Sequence, residues 1–142
     1  EAEELQIKVM EMRQEILGEQ HPDTITASSN LALTYQDLGK LKEAEELQIK
    51  VLEMQQEILG ERHLHTIKAS NNLALTYQRL GRLIEAKELS KTAYELAKDV
   101  LGDSHPTTVW INRTLDGIQA NIQKSSQKKS RKRKILNTLA SP

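Results

Sequence analysis

The sequence predicts an all-α solenoid of antiparallel helix pairs, and three observations carry that expectation. The chain repeats itself: residues 1–42 and 43–84 agree at 32 of 42 positions, and a third copy from Glu85 keeps 10 of them. A fixed period of this length marks a fold made by stacking one supersecondary unit. Within each period the apolar residues recur at helical spacing. Aromatics make up only 3% of the 142 residues, with no Phe, one Trp and three Tyr. A core filled by Leu, Ile, Val, Met and Ala suits closely packed helices better than stacked sheets.

The elements follow in order. Residues 1–17 form a first helix whose opening letters, EAEELQIK, return at 43–50, so the chain starts as if inside a truncated repeat or a fragment. Its apolar stripe is Leu5, Val9, Met12 and Ile16. A second helix is expected over 23–38, where Ile25, Leu31, Ala32, Tyr35 and Leu38 share one stripe and Gly39 interrupts. A third runs over 42–59 on Ala44, Leu47, Val51, Met54 and Ile58, with Leu52 and Leu59 beside them. Gly60 ends it, as glycine just past a helix does. The same pair recurs at 65–80 and 84–101, and a short helix starts near 106 and fades after about 122. Pro22 and Pro106 sit where a first-turn proline costs nothing, and Leu64 replaces them in the second copy. Short links make neighbouring helices antiparallel. The expected division is therefore 1–122, a solenoid with a partial first repeat, two full pairs and a degenerate capping repeat, and 123–142, a basic tail. The tail's polar character predicts disorder or a frayed helix, with one short docked turn at ILNTLA, 135–140.

The residues NLALTYQDLGKLKEAEEL at 30–47 resemble the tetratricopeptide repeat (TPR). The links LGEQHPDT at 17–24 and LGDSHPTT at 101–108 resemble its long 42-residue variety, found in kinesin light chains. The resemblance covers roughly residues 1–120. It implies a right-handed α-α superhelix whose first helices line a concave groove for an extended peptide or a partner helix. On the family's pattern its small contacts fall on Ala32 with Ala44 and on Ala74 with Ala86, its first-helix aromatic on Tyr35 and Tyr77, and its turn glycine on Gly39 and Gly81. Two departures stand out. Gln48 occupies a position where the family usually has an aromatic, and Gly117 and Ile118 replace the Leu-Thr of the earlier copies.

Net charge is zero, yet all 20 acidic residues lie at or before Asp116 with only 13 of the 20 basic ones. The body therefore carries seven net negative charges, and the tail carries seven positive charges: Lys124, Lys128, Lys129, Arg131, Lys132, Arg133 and Lys134. The absence of Cys removes disulfides, thiol nucleophiles and thiolate metal sites. No apolar run approaches the roughly 18 residues of a membrane span. Of four histidines, His21, His63 and His105 are one loop position repeated, and His63 with His65 offers at most two metal ligands. Local structure at the helix start is the better reading of them. The EAEE runs read as helix-forming surface rather than paired catalytic acids, and no nucleophile triad or phosphate-binding glycine loop is present. The expectation is a protein that is not an enzyme, with no metal and no cofactor.

The near-identical copies point to a contact face. They differ at ten positions, and three of those inside the expected first helix share one face: Thr26 becomes Lys68, Ser29 becomes Asn71 and Asp37 becomes Arg79. At about 100° per residue these fall within an arc of roughly 80°, away from the apolar stripe. Either a solvated face has drifted, or this face is the groove and sets specificity. Leu33 and Leu75 lie on it too and either pack against the adjacent repeat or floor a peptide site. Lys68, Asn71, Asn72, Gln78 and Arg79 would then bond peptide carbonyls or acidic side chains, and Gln36 and Asp37 are counted with the partner-binding residues of the first copy. Trp110 and Arg113 occupy the matching face in the third copy, where Trp110 either anchors a partner or seals the core.

The expected function is a non-catalytic scaffold that binds a protein or peptide. Self-association through the exposed stripe of residues 1–17 is the rival, giving a homo-oligomer. KKSRKRK at 128–134 offers a nuclear-import signal, a nucleic-acid contact (with the wider stretch 124–134) or an anionic-lipid contact, against the plain reading of a solubilising linker. The expected location is the cytoplasm, with the nucleus as the alternative through the basic segment.

Overall fold

The computed structural model describes residues 2–141. Six helices follow one another: α1 (Ala2–Leu17), α2 (Pro22–Asp37), α3 (Leu41–Leu59), α4 (Leu64–Arg79), α5 (Leu83–Leu101) and α6 (Pro106–Ala140). Each packs against its neighbours in sequence, and α6 also reaches back to α4. The result is a stack of antiparallel helix pairs, the all-α solenoid expected from the period. No described helix is long and apolar enough to cross a membrane.

The repeated histidine is a helix cap. At the starts of α2, α4 and α6, the Nδ1 atoms of His21, His63 and His105 each accept the backbone N–H two residues on, at 3.1 Å. Each satisfies one of the donors that a helix start leaves free. The helix ends are equally regular. Gly18, Gly39, Gly60, Gly81 and Gly102 all have φ between +76° and +92°, a region costly to any residue with a Cβ. They recur every 21 residues, one after each of the first five helices.

That register explains the largest difference from expectation. Position 123, where the next glycine would fall, is Gln123. Nothing there terminates the helix, so α6 does not fade near 122 but continues to Ala140. Burial nonetheless ends with the half-buried Asn121 and Ile122, and every residue over 123–141 is exposed. Neither a disordered tail nor a docked turn at 135–140 forms: Ile135, Leu136 and Leu139 stand free on the extended helix.

The core is made of small side chains at close approaches. Ala44, Ala74 and Ala86 are completely buried and Ala32 nearly so, as the family pattern implies. Ile67, Ala93, Ala97 and Ile111 form a cluster between α4, α5 and α6, with Tyr94, Leu96, Leu101 and Trp110 packed around it. Leu38 departs from its expected core place. It caps α2 and is 56% exposed. Much of the α1 stripe is also open, because α1 has a helix on one side only: Leu5, Met12 and Ile16 are exposed.

Polar groups tie the repeats together. Thr76 is fully buried; its Oγ1 donates to Gln48 Oε1 at 2.7 Å and accepts from Gln36 Nε2 at 3.0 Å. This network joins α2, α3 and α4 and accounts for a glutamine where the family usually has an aromatic. Charged pairs also cross between repeats. Lys40 Nζ bonds Glu3 at 2.7 Å, and one repeat later Arg82 bonds both Glu45 and Glu85 and lies over the Tyr77 ring, 4.4 Å from its centroid. The Glu3 hydrogen bond raises the Lys40 pKa above its ordinary value, and Arg82 holds the Glu85 carboxyl below its own. Burial raises the Tyr77 hydroxyl against the opposing charge of Arg82.

Candidate functional site

α2 and α4 occupy the same place in successive repeats, and between them runs a trough floored by α3. One stretch is lined by Ser29, Ala32 and Leu33 from α2, Gln48 and Val51 from α3, and Ala69 and Asn72 from α4. A second continues from it along Thr26, Gln55, His65 and Lys68, sharing Ser29, Ala69 and Asn72. This second stretch holds about 630 Å³ open to solvent. The composition is graded: Leu33 and Val51 make an apolar patch at one end, and Lys68 with His65 makes a polar, cationic one at the other.

Five of the residues selected from sequence therefore meet in this trough: Thr26, Ser29, Leu33, Lys68 and Asn72. Leu33 remains 38% exposed despite its place on a helix that packs against α3. The hydroxyls of Thr26 and Ser29 donate to the carbonyls of Pro22 and Ile25, each at 2.9 Å, so toward a ligand they offer acceptor lone pairs. Lys68 makes no ion pair among the described residues. Its ammonium is the one cation lining the second stretch among the described residues.

Others in that selection hold the repeats together instead. Asn71 is fully buried; its Nδ2 donates to Thr114 Oγ1 on α6 at 3.1 Å. Gln36 is buried in the network with Thr76 and also donates to the Asn72 carbonyl at 3.3 Å. Arg79 reaches from the end of α4 to the carbonyl of Gln36, near the end of α2. A cation there meets the partial negative charge of a helix C-terminus. The expectation that Asn71 and Gln36 face a ligand is thus corrected, because adjacent repeats close over their amides. Gln78 lies half-buried against α6, its Nε2 3.8 Å from where a side chain at Gly117 would begin. Leu75 is half-buried, while Asp37 and Arg113 are exposed outside the trough. Trp110 is half-buried and packs against the Ile67–Ile111 cluster.

Sequence reasoning passed over Gln55, His65 and Ala69. A signal existed for two of them. The change from Asp23 to His65 falls at the first residue of the expected helix and lies within the first turn of the observed one. The change from Arg13 to Gln55 lies on a second helix, whose inner face floors the trough. Among the described residues, no group of three or more His, Asp or Glu side chains gathers to hold a metal ion. His63 and His65 meet edge to face with ring centroids 5.1 Å apart, an aromatic contact with His63 Nδ1 already engaged as a cap.

Helix pairs in register, alanines at the closest approaches and a trough between successive first helices define a helical-repeat solenoid. A family model described as tetratricopeptide repeat matches residues 1–57, 23–99 and 65–115, and the chain belongs to that family. Among solved structures it is similar to a kinesin-light-chain candidate of Podosopora anserina with nearly identical TPR-like repeats. A single-substitution form of that protein has a TM-score of 0.75 at 27% identity, covering 90% of this chain and 61% of that one. A second structure of the Podosopora anserina protein gives 0.73 at 27% identity, over 99% of this chain and 68% of that one. BtubC (BKLC) from P. vanneervenii shares the fold at 20% identity, with a TM-score of 0.76, 99% of this chain covered and 57% of that one. The chain thus spans 61% of the length of the first of these structures. No curated protein matches it.

Proposed function

We propose that this protein is a non-catalytic scaffold of the long, kinesin-light-chain-like TPR variety, and that it receives an extended peptide or a partner helix in the trough between α2 and α4. The observation that carries this is the convergence of Thr26, Ser29, Leu33, Lys68 and Asn72, separated by up to 46 positions in sequence, on one open surface with an apolar end and a cationic end. Leu33 and Val51 would take an aliphatic side chain. Asn72 has both a donor and an acceptor for a peptide backbone. Lys68 favours a carboxylate a few residues along. The preferred ligand is therefore a short segment with an apolar residue and an acidic residue in fixed spacing.

The test is a peptide-display selection on the full chain, counter-screened against Lys68→Glu/Asn72→Ala. These positions are chosen because neither side chain bonds another repeat, so the fold survives their loss. Enriched peptides should share an acidic motif and weaken at least about tenfold on the variant, roughly the loss of one charged contact. Peptides that bind both proteins equally, or no enrichment, would remove the trough as the binding site.

A further inference from the structure

We infer that the exposed end of α6 is a docking helix for duplex DNA, seated in the major groove and held by phosphate contacts. Residues 124–134 carry seven cations, and no acidic residue follows Asp116. The segment is helical throughout and every residue in it is exposed. None of its cations takes part in an ion pair among the described residues. Like charges stand one turn apart, at Lys124 and Lys128, Lys128 and Lys132, and Lys129 and Arg133. Such spacing makes the helix repel itself. A polyanion beside it relieves that repulsion.

The distribution of charge around the helix selects the polyanion. At about 100° per residue, Lys129 and Arg133 point to one side, Lys134 away from them, Arg131 and Lys124 to a third side and Lys128 with Lys132 between. A helix lying on a membrane needs an apolar face along its length. Residues 123–134, QKSSQKKSRKRK, contain no apolar residue, and Ile135, Leu136 and Leu139 add a short apolar end only after the charges. A helix charged on all sides fits a site with anions on both flanks, and the major groove of a duplex is one. A helix about 10–12 Å wide enters the B-form groove, which is about 12 Å across. The narrow, deep groove of A-form RNA does not admit it. The basic stretch is about 16 Å long, over which a duplex presents roughly nine phosphates. The body carries seven net negative charges and is repelled; α6 carries its cations on past Ile122, with Lys129 beside Gly81, Leu83 and Ile84 of the body and the later cations beyond them. Lys and Arg on phosphates read no sequence, so binding is general.

The test is fluorescence anisotropy with a labelled DNA duplex of about 20 base pairs and the full chain, titrated at rising NaCl. The affinity should fall steeply, with a slope of log K against log salt of roughly −4 to −6, as about five to seven phosphate contacts require. A variant with Lys128, Lys129, Arg131, Lys132, Arg133 and Lys134 all changed to Ala should lose at least about 100-fold in affinity at roughly 50 mM salt. Alanine keeps the helix, which circular dichroism checks. Three results would overturn the inference: no binding at that low salt, equal binding by the variant, or tighter binding to duplex RNA or to vesicles rich in phosphatidylserine than to DNA.

Discussion

Among single residues, the repeat copies act as controls for one another. His21, His63 and His105 sit in one loop position and make the same cap, so their recurrence reports local backbone chemistry rather than a metal site. The changed residues are less uniform. Ser29 stays at the trough while its counterpart Asn71 is buried, because α6 packs over the second copy and supplies Thr114. Arg82 and Lys40 show the same contrast in charge. Both bridge to a glutamate of the preceding repeat, and Arg82 adds Glu85. Since Arg82 lowers the Glu85 pKa, its contribution to stability is present above the ordinary carboxylate value of 4.5 and is lost as pH falls below it. The Arg82→Ala variant should therefore lose less stability than the wild type between about pH 5 and pH 3, seen as a smaller drop in urea midpoint. Equal drops would show that Glu85 does not couple to folding. The Lys40 linkage runs the other way: its contribution is full below the ordinary lysine value of 10.5 and fades as pH rises through the raised one.

Among the elements, five helices end on a glycine in the left-handed region and the sixth does not. No neighbour lies within 4 Å of a Cβ built on any of these five, so the requirement for glycine there is one of backbone conformation alone. The stop at 102 and the missing stop at 123 differ in that choice, and α6 gains a free helical segment as a result. Restoring the register with Gln123→Gly is expected to end α6 near residue 122. The measurable outcome is the loss of helical circular dichroism equal to roughly a tenth of the chain, with little change in the urea midpoint because residues past 122 bury nothing. Unchanged ellipticity would show that the helix persists on its own propensity.

For the whole molecule, stability is carried by interfaces between neighbours. The Gln36–Thr76–Gln48 network is the polar part of one such interface, and its buried position makes it sensitive to partial loss. Thr76→Val preserves shape but leaves the Gln48 side-chain carbonyl without its donor and Gln36 with the Asn72 carbonyl alone, at a cost of about 1–3 kcal/mol. Replacing Gln36 and Gln48 by Leu as well should recover much of that loss, and the difference is read in a cycle of urea denaturation curves. A triple variant no more stable than Thr76→Val would mean that the network does more than satisfy its own groups. At the far end lies α6. Asp116 stands where Ala32 and Ala74 make close helix contacts, and Gln119 where Tyr35 and Tyr77 do, so its outer face is polar and suited to solvent. The opposite end has no such face, since Leu5, Met12 and Ile16 of α1 are exposed.

The period, the helix pairs, the caps and the alanine contacts all follow from the order of residues, because each depends on neighbours in the chain or on a register that repeats. The passage of α6 beyond 122 also has its signal there, in the step of 21 residues between glycines that fails at Gln123. Which face of α2 and α4 stays open is instead a matter of packing. Helical periodicity separates an apolar stripe from a polar face, but it cannot say that Asn71 and Gln36 lie under the next repeat while Lys68 and Asn72 border a trough. That distinction depends on how α2, α4 and α6 sit side by side across successive repeats, a relation between residues roughly one 42-residue period apart. The same polar amide can face water or a neighbouring threonine, and only the arrangement of the stacked helices chooses between them.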